Sequence, residues 1–301
     1  MMNVGGAKEV SAASVGQLFT EYRPLLFSIA YRMLGTVADA EDIVQETFAA
    51  MQAAQLERIS NIKSYLCKMV MNRCLNECKS ARRRREEYAG PWLPEPLIAE
   101  QDLPAAAAEN NEALSYAFLV MLDRLSPLER AVFVLRTAYE YDYADIGEMV
   151  GRTEVYTRKL FSNARKKLQP EAAVRGEEHV PASRRQRLER FVAAFQRRDV
   201  EGLMRMLNED AVLVSDGGGK VRSAMKPIYS RGRVTTLLEV IARGNLAGAE
   251  AQIRQVNGRE ELLFYKEGRL KSVFCFAWGE KIDTIYAVFN PEKLNEAQPE
   301  S

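Results

Sequence analysis

Residues 143–168 read Tyr-Ala-Asp-Ile-Gly-Glu-Met-Val-Gly-Arg-Thr-Glu-Val-Tyr-Thr-Arg-Lys-Leu-Phe-Ser-Asn-Ala-Arg-Lys-Lys-Leu. Their types and spacing suit contact with duplex DNA. A short helix carrying Ile146, Met149 and Val150 runs into Gly151, the residue type that most easily takes the left-handed turn ending a helix. Thr153 can cap the helix that follows. That second helix is expected to bury Val155, Leu160, Ala164 and Leu168 and to show Arg158, Lys159, Arg165, Lys166 and Lys167 to solvent. Helix, tight turn and capped helix with a cationic outer face fit a major groove. An ordinary helical hairpin with a solvated basic face is the alternative.

Two further groups have suggestive spacing. Asp39, Asp42 and Glu46 lie three and four apart, so their carboxylates share one helix face, with Ile43, Thr47 and Phe48 as an apolar margin. This suits docking to a basic partner, or simply a solvated acidic side. It does not suit paired catalytic carboxylates, because an exposed face offers no desolvated cleft to split their pKa values. In Ile62–Arg85, Tyr65, Lys68, Asn72, Asn76 and Lys79 form a strip combining an aromatic, amides and cations, with Leu66, Met69, Val70, Arg73 and Leu75 opposite. Amides read base edges, an aromatic can stack on an unpaired base, and the run Arg82, Arg83, Arg84, Arg85 suits phosphates.

The elements that must position these groups follow from the chain as a whole. With 301 residues, 47% of them apolar, it can form two or three domains with real cores. The net charge of +1 excludes a uniformly basic nucleic-acid coat; acidic 39–46 and basic 79–85 instead suggest different partners for different faces. The absence of a signal-peptide pattern and of a bilayer-length apolar run leads us to expect a cytoplasmic protein with no membrane partner. Cys67, Cys74 and Cys78 share one helical stripe, there is no Cys-x-x-Cys pair, and the only histidine is His179. No metal site is expected.

Helical periodicity runs from about Val15 to Glu87, broken at Gly35, with helices expected at Asp39–Met51 and from Ile62 to about Arg82. Residues 88–112 read as a linker, since Pro91, Pro94 and Pro96 forbid helix. Helices resume over 113–170, and a polar linker covers 171–183. Beyond it, Arg184–Arg198, Val200–Leu207 and Val234–Ala242 are expected helices. Strands are expected at Ala211–Val214, Gly219–Lys226, Ala249–Val256, Glu260–Lys266, Leu270–Ala277 and Lys281–Phe289. Consecutive antiparallel strands after helices suggest an α+β domain with a curved sheet wrapped around helices.

Acidic helix, polar-aromatic and basic helix, linker and helix-turn-helix, in this order over residues 14–170, resemble the extracytoplasmic-function (ECF) class of bacterial sigma factors. The resemblance implies two all-α domains: region 2 (10–87) and region 4 (113–170). It implies that Asp39, Glu41, Asp42, Ile43, Gln45, Glu46 and Phe48 grip the clamp helices of the largest subunit of core RNA polymerase. Tyr65, Lys68, Asn72, Asn76, Lys79 and Arg82–Arg85 would meet the opened −10 strand. Thr153, Thr157, Arg158, Lys159, Arg165 and Lys166 would meet the −35 duplex. The family often has Trp where Tyr65 stands, and its Asn-x-x-x-Asp-x-x-Arg pattern appears here as Asn72, Asn76 and Lys79.

Trp92-Leu93-Pro94-Glu95-Pro96-Leu97, Asp216-Gly217-Gly218-Gly219-Lys220 and Asn290-Pro291-Glu292-Lys293-Leu294 resemble signatures of the SigJ-like ECF group. That group carries a C-terminal SnoaL-like cone, here 184–296. The cone fold houses isomerases and cyclases as well as ligand binders, so fold alone does not assign activity. Residues 184–301 hold no histidine, and Asp216, the one candidate base, sits beside three glycines on an expected flexible loop. No enzyme activity and no cofactor are expected. The expected function is promoter-directed initiation, regulated in cis by the cone in place of a separate anti-sigma factor. A stand-alone regulator with a ligand-sensing cone and a cone enzyme fused to a DNA-binding module are the alternatives.

Overall fold

Three-to-four-residue apolar periodicity becomes helix throughout the N-terminal half. The computed structural model describes residues 15–51, 59, 61–98, 115–168 and 183–294. Helix α1 spans Val15–Leu34 and stops at Gly35, whose φ is +79°. Helix α2 spans Val37–Met51, beginning two residues before the expected start, and α3 spans Ile62–Glu86. Four shorter helices follow: α4 Tyr116–Leu122, α5 Pro127–Ala138, α6 Tyr143–Val150 and α7 Glu154–Leu168. Their starts are chemically marked. Ser115 and Asp142 cap α4 and α6, while Ser126 and Glu129 form a reciprocal capping box on α5.

The two helical units do not keep separate cores. Leu26, Ile29, Met33, Val44, Leu66 and Val70 of α1–α3 lie in one apolar cluster with Val132, Leu135, Ile146 and Leu160 of α5–α7. Polar contacts cross the same seam: Arg32 bonds the Tyr139 hydroxyl, and Cys67 Sγ lies 3.5 Å from that of Tyr141.

In the C-terminal half, α8 (Arg184–Arg197) and α9 (Val200–Met206) lead into β1 (Leu207–Asp216) and the two-residue β2 (Ile228–Tyr229). Helix α10 (Arg231–Arg243) and β3 (Glu250–Val256), β4 (Arg259–Lys266), β5 (Arg269–Trp278) and β6 (Ile282–Val288) follow, and a 3-10 turn covers Pro291–Lys293. The six strands are ordered β2-β1-β6-β5-β4-β3. This is the expected α+β architecture with two corrections. Residues 219–226 are turn and loop rather than strand, because Lys220 N and Val221 N both close onto Gly217 O, with Gly218 and Gly219 at positive φ. And β1 pairs with β6 in parallel, aligning Asp216 with Val288.

Strand β5 is buried at every residue from Ser272 to Trp278, as a strand covered on both faces must be. Phe274, Phe276 and Trp278 face α8–α10; Val273, Cys275 and Ala277 face outward, where Tyr116, Ala117 and Val120 of α4 and Leu93 of the linker cover them. The sheet therefore has two cores, one of them shared with the helical half.

Candidate recognition surfaces and the interdomain clamp

On α2 the acidic residues and their margin separate. Ile43 and Phe48 are buried and Thr47 bonds back to Ile43 O, so these residues hold the helix to its neighbours and offer a partner little. Glu41 pairs with Arg23 at 2.7 Å and Glu46 with Arg73 at 3.6 Å, while Asp39 accepts from Thr36 Oγ1. Asp42 and Gln45 are exposed.

On α3 the strip stays intact: Lys68, Asn72, Asn76 and Lys79 are exposed and Tyr65 is partly so. Leu66, Val70, Cys67, Cys74 and Cys78 line the buried side; burial pushes all three thiols up, which keeps them protonated and unreactive. Arg85 departs from the expected DNA set. Its guanidinium lies 3.4 Å from the centre of the Trp92 ring, donates to Leu34 O at 2.5 Å and pairs with Asp123. It is a structural arginine on the side of α3 away from the strip. The side chains of Arg82, Arg83 and Arg84 lie outside the described residues.

The helix-turn-helix forms as read: Gly151 takes φ 66° and Arg152 N closes onto Gly147 O at 2.8 Å. A Cβ on Gly147 would stand 2.7 Å from Arg152 O, so a glycine is required where the two helices meet. Thr153 accepts from Tyr156 N. Two residues exchange places relative to expectation. Thr157 is buried and bonds Thr153 O, whereas Val155 is 79% exposed. The buried stripe is Thr157, Leu160, Ala164, Leu168, which leaves Val155 diametrically outward in line with Lys159, Ser162 and Lys166. Arg158 is turned aside: it holds Glu154 with two donors and lies 4.5 Å from the centre of the Tyr143 ring. Arg165, Lys159 and Lys166 are exposed.

The linker residues Trp92–Pro96 are mostly covered: Leu93, Pro94, Glu95 and Pro96 are buried. Their cover comes largely from residues 120–200 positions away. Asp216 ends β1 fully buried, rather than riding a flexible loop. Its carboxylate accepts from Tyr88 Oη (2.6 Å), Leu93 N (2.9 Å), Gly218 N (3.0 Å) and Lys293 Nζ (2.7 Å). Lys293 also donates to Leu93 O at 2.5 Å and sits 4.4 Å from the centre of the Trp92 ring and 4.9 Å from that of Tyr88. Asn290 donates to Tyr88 Oη at 2.8 Å and accepts from Glu292 N, capping the turn that carries Lys293. The ammonium is held by one carboxylate, one carbonyl and two ring faces. Burial lowers the Lys293 pKa, and the Asp216 charge opposes that shift; burial, then the Asp216 bond, raises that of Tyr88. Gly218 is required here, since a Cβ would stand 2.5 Å from the Asn290 amide. Lys220 pairs with Glu292 at the rim, Pro291 opens the 3-10 turn, and Leu294 joins the outer core.

Comparison with known proteins assigns these parts. Residues 18–84 match the Sigma-70 region 2 family and residues 115–168 the Sigma-70, region 4 family. The chain is 34% identical over 255 residues to the ECF RNA polymerase sigma factor SigJ of Mycobacterium tuberculosis, covering 83% of this chain and 80% of the relative. The chain belongs to the ECF RNA polymerase sigma factors. It is also 30% identical to the probable ECF sigma factor SigI of the same species over 64% of this chain and 67% of that one. The crystal structure of M. tuberculosis SigJ superposes with a TM-score of 0.73 at 27% identity, over 93% of this chain and 98% of that chain. Membership makes RNA polymerase and promoter DNA the partners of the helical half. No helix among the described residues is long and apolar enough to cross a membrane, and none of their His, Cys, Asp and Glu side chains cluster as a metal site.

In this ECF sigma factor the α1–α2 corner carries contacts that sequence reading missed. Met33 O accepts from Arg130 of α5 at 2.8 Å, Leu34 O from Arg85, and Gly35 O from Glu95 N at 2.8 Å. Val37 N, at the start of α2, donates to Glu95 Oε2 at 2.8 Å. The linker thus caps the acidic helix, and region 4 helps cap the helix before it. Tyr31 Oη adds a 2.5 Å bond to Glu95 O and accepts from Asn257 of the sheet domain, so all three parts meet at one hydroxyl. Nothing in the sequence pairs these residues, since Glu95 stands 58 or more positions from Tyr31, Gly35 and Val37.

Proposed function

We propose that this sigma factor directs core polymerase to promoters through the surfaces above and that its C-terminal domain holds it closed in place of a separate anti-sigma protein. Asp42, with Asp39, Glu41, Gln45 and Glu46 beside it, serves polymerase docking. Tyr65, Lys68, Asn72, Asn76 and Lys79 serve the opened −10 strand, and the outward face of α7 serves the −35 duplex. The division of labour follows 10–87, 88–112, 113–170, 171–183 and 184–296.

The observation that carries the regulatory reading is the shared core of α1–α3 and α5–α7. Elements named −10 and −35 lie roughly 85 Å apart on B-DNA at about 3.4 Å per base step. Even α3, at 25 residues, is only about 37 Å long. Units packed into one core cannot reach both elements, so engagement requires them to part. The Asp216–Lys293 clamp on the linker and the seat of α4 on the sheet oppose that parting. Glu95 supports a second role, because the same linker caps the docking helix: complete loss of the C-terminal half would then harm polymerase binding even as it frees region 4.

Graded C-terminal truncations, assayed with core polymerase on a defined promoter, test this. Removal of residues after Phe289 should raise transcription, and removal of everything after residue 183 should lower it. Equal activity from every truncation would overturn the regulatory reading.

A further inference from the structure

Among the described residues, the placement of Val155 is not explained by its surroundings. Region 4 buries a threonine, Thr157, and turns a valine two residues earlier into solvent, 79% exposed, the highest value among the exposed large hydrophobic side chains of the described residues. Burial of a valine is favourable, so this exchange runs against the usual ordering. The site is also particular. Val155 stands in the first turn of α7, the turn that in a helix-turn-helix faces base edges. It heads an outward line continued by Lys159, Ser162 and Lys166, whose cations suit the flanking phosphates. Arg158, the nearest long cation, is drawn off that line by Glu154 and Tyr143.

We infer that Val155 is a specificity residue that reads a thymine in the −35 element through its 5-methyl group. A valine side chain has no donor or acceptor. Set against a guanine, adenine or cytosine edge in the major groove, it would strip water from polar atoms and return nothing. The thymine methyl is the apolar feature of the base-pair edges there, and apolar side chains contact it. This assignment rests on the reading of α7 as the −35 helix.

The test uses the full chain with core polymerase. Active −35 sequences are first selected from a randomised promoter pool; absence of any enrichment by the unaltered protein would count against the sigma-factor reading itself. Each thymine in the selected element is then replaced by uracil, which removes only the methyl. One position should lose about fourfold in promoter affinity, the equivalent of about 0.8 kcal/mol for one buried methyl-sized group. Val155→Ser should lose a similar factor on thymine DNA and become indifferent to the uracil substitution, while Val155→Ile should keep the sensitivity. Substitution at so exposed a residue leaves the fold intact. Selected promoters with no uracil-sensitive thymine, or a serine variant that still distinguishes uracil from thymine, would overturn the assignment.

Discussion

The two faces of the C-terminal sheet are built from different materials. The face toward α8–α10 is dry and aromatic: Phe191 packs edge-on to Phe276 at 5.0 Å, Phe264 to Phe274 at 4.9 Å, and Phe195 bridges them. The face toward the linker and α4 mixes Leu263, Val273 and Tyr286 with a buried ion pair, two buried tyrosine hydroxyls and Asn257. Aromatic packing gives a domain its fold and offers no low-cost route to opening. A buried polar network is close to neutral when complete and costly when half-broken, which suits a contact that is either wholly made or wholly absent. The first face builds the domain; the second is the interface between that domain, the linker and α4.

Substitutions on the two faces should therefore fail in different ways. Phe274→Ala on the dry face should have the largest effect, about 3–5 kcal/mol of C-terminal domain stability. Calorimetry should show that domain melting early. Asp216→Ala on the polar face strands Lys293, Tyr88 and the Leu93 amide, and loss of one partner of a buried pair costs about 3 kcal/mol or more. That loss should appear as undocking. Amide exchange at Leu93 and Val37 should accelerate and promoter-dependent transcription rise, with the C-terminal domain still folded. If Asp216→Ala instead melted that domain as Phe274→Ala does, the contrast between the faces would fail.

Smaller changes sharpen the comparison at its edge. Gly35 sits at φ +79°, and a Cβ there would stand 2.7 Å from the Trp92 ring. Gly35→Ala should cost about 1–3 kcal/mol through overpacking, expel Trp92 and free Arg85. Tryptophan fluorescence would register it as a red shift, since Trp278 stays buried in the dry core. Glu95→Ala should be mildest, about 1 kcal/mol for a lost helix cap, but opposite in consequence to Asp216→Ala. It should fray the start of α2 and weaken polymerase binding. A rise in affinity for core polymerase would show that the linker only restrains.

Much of this was legible in the residues because it is local. Apolar spacing marks α1–α3, Gly151 and Thr153 mark the turn into α7, and the three short signatures mark the clamp. What escaped depends on distance along the chain. Val155 and Leu160 looked like one apolar side of α7, but they stand five apart, and the stripe that packs runs through Thr157. The cover over the linker could not be read locally, since Asp216, Asn257 and Lys293 lie more than a hundred residues away. Arg85 looked like one more cation in a basic run, since no local pattern announces Trp92, Asp123 and Leu34 O as its partners. The parallel pairing of β1 with β6 is likewise a long-range choice that alternating hydrophobicity cannot encode.

That parallel pairing has a consequence in time. Because β1 and β6 run the same way side by side, the Asp216 loop and the Lys293 turn leave the sheet at one edge, and the clamp needs both. Lys293 follows Leu168, the end of the second helical unit, by 125 residues. At about 5–20 residues per second, a ribosome needs roughly 6–25 s to pass from Leu168 to Leu294. Throughout that interval the nascent chain carries both helical units without the Asp216–Lys293 pair. The linker's bonds to Asp216 and Lys293 therefore form only after both helical units have been made.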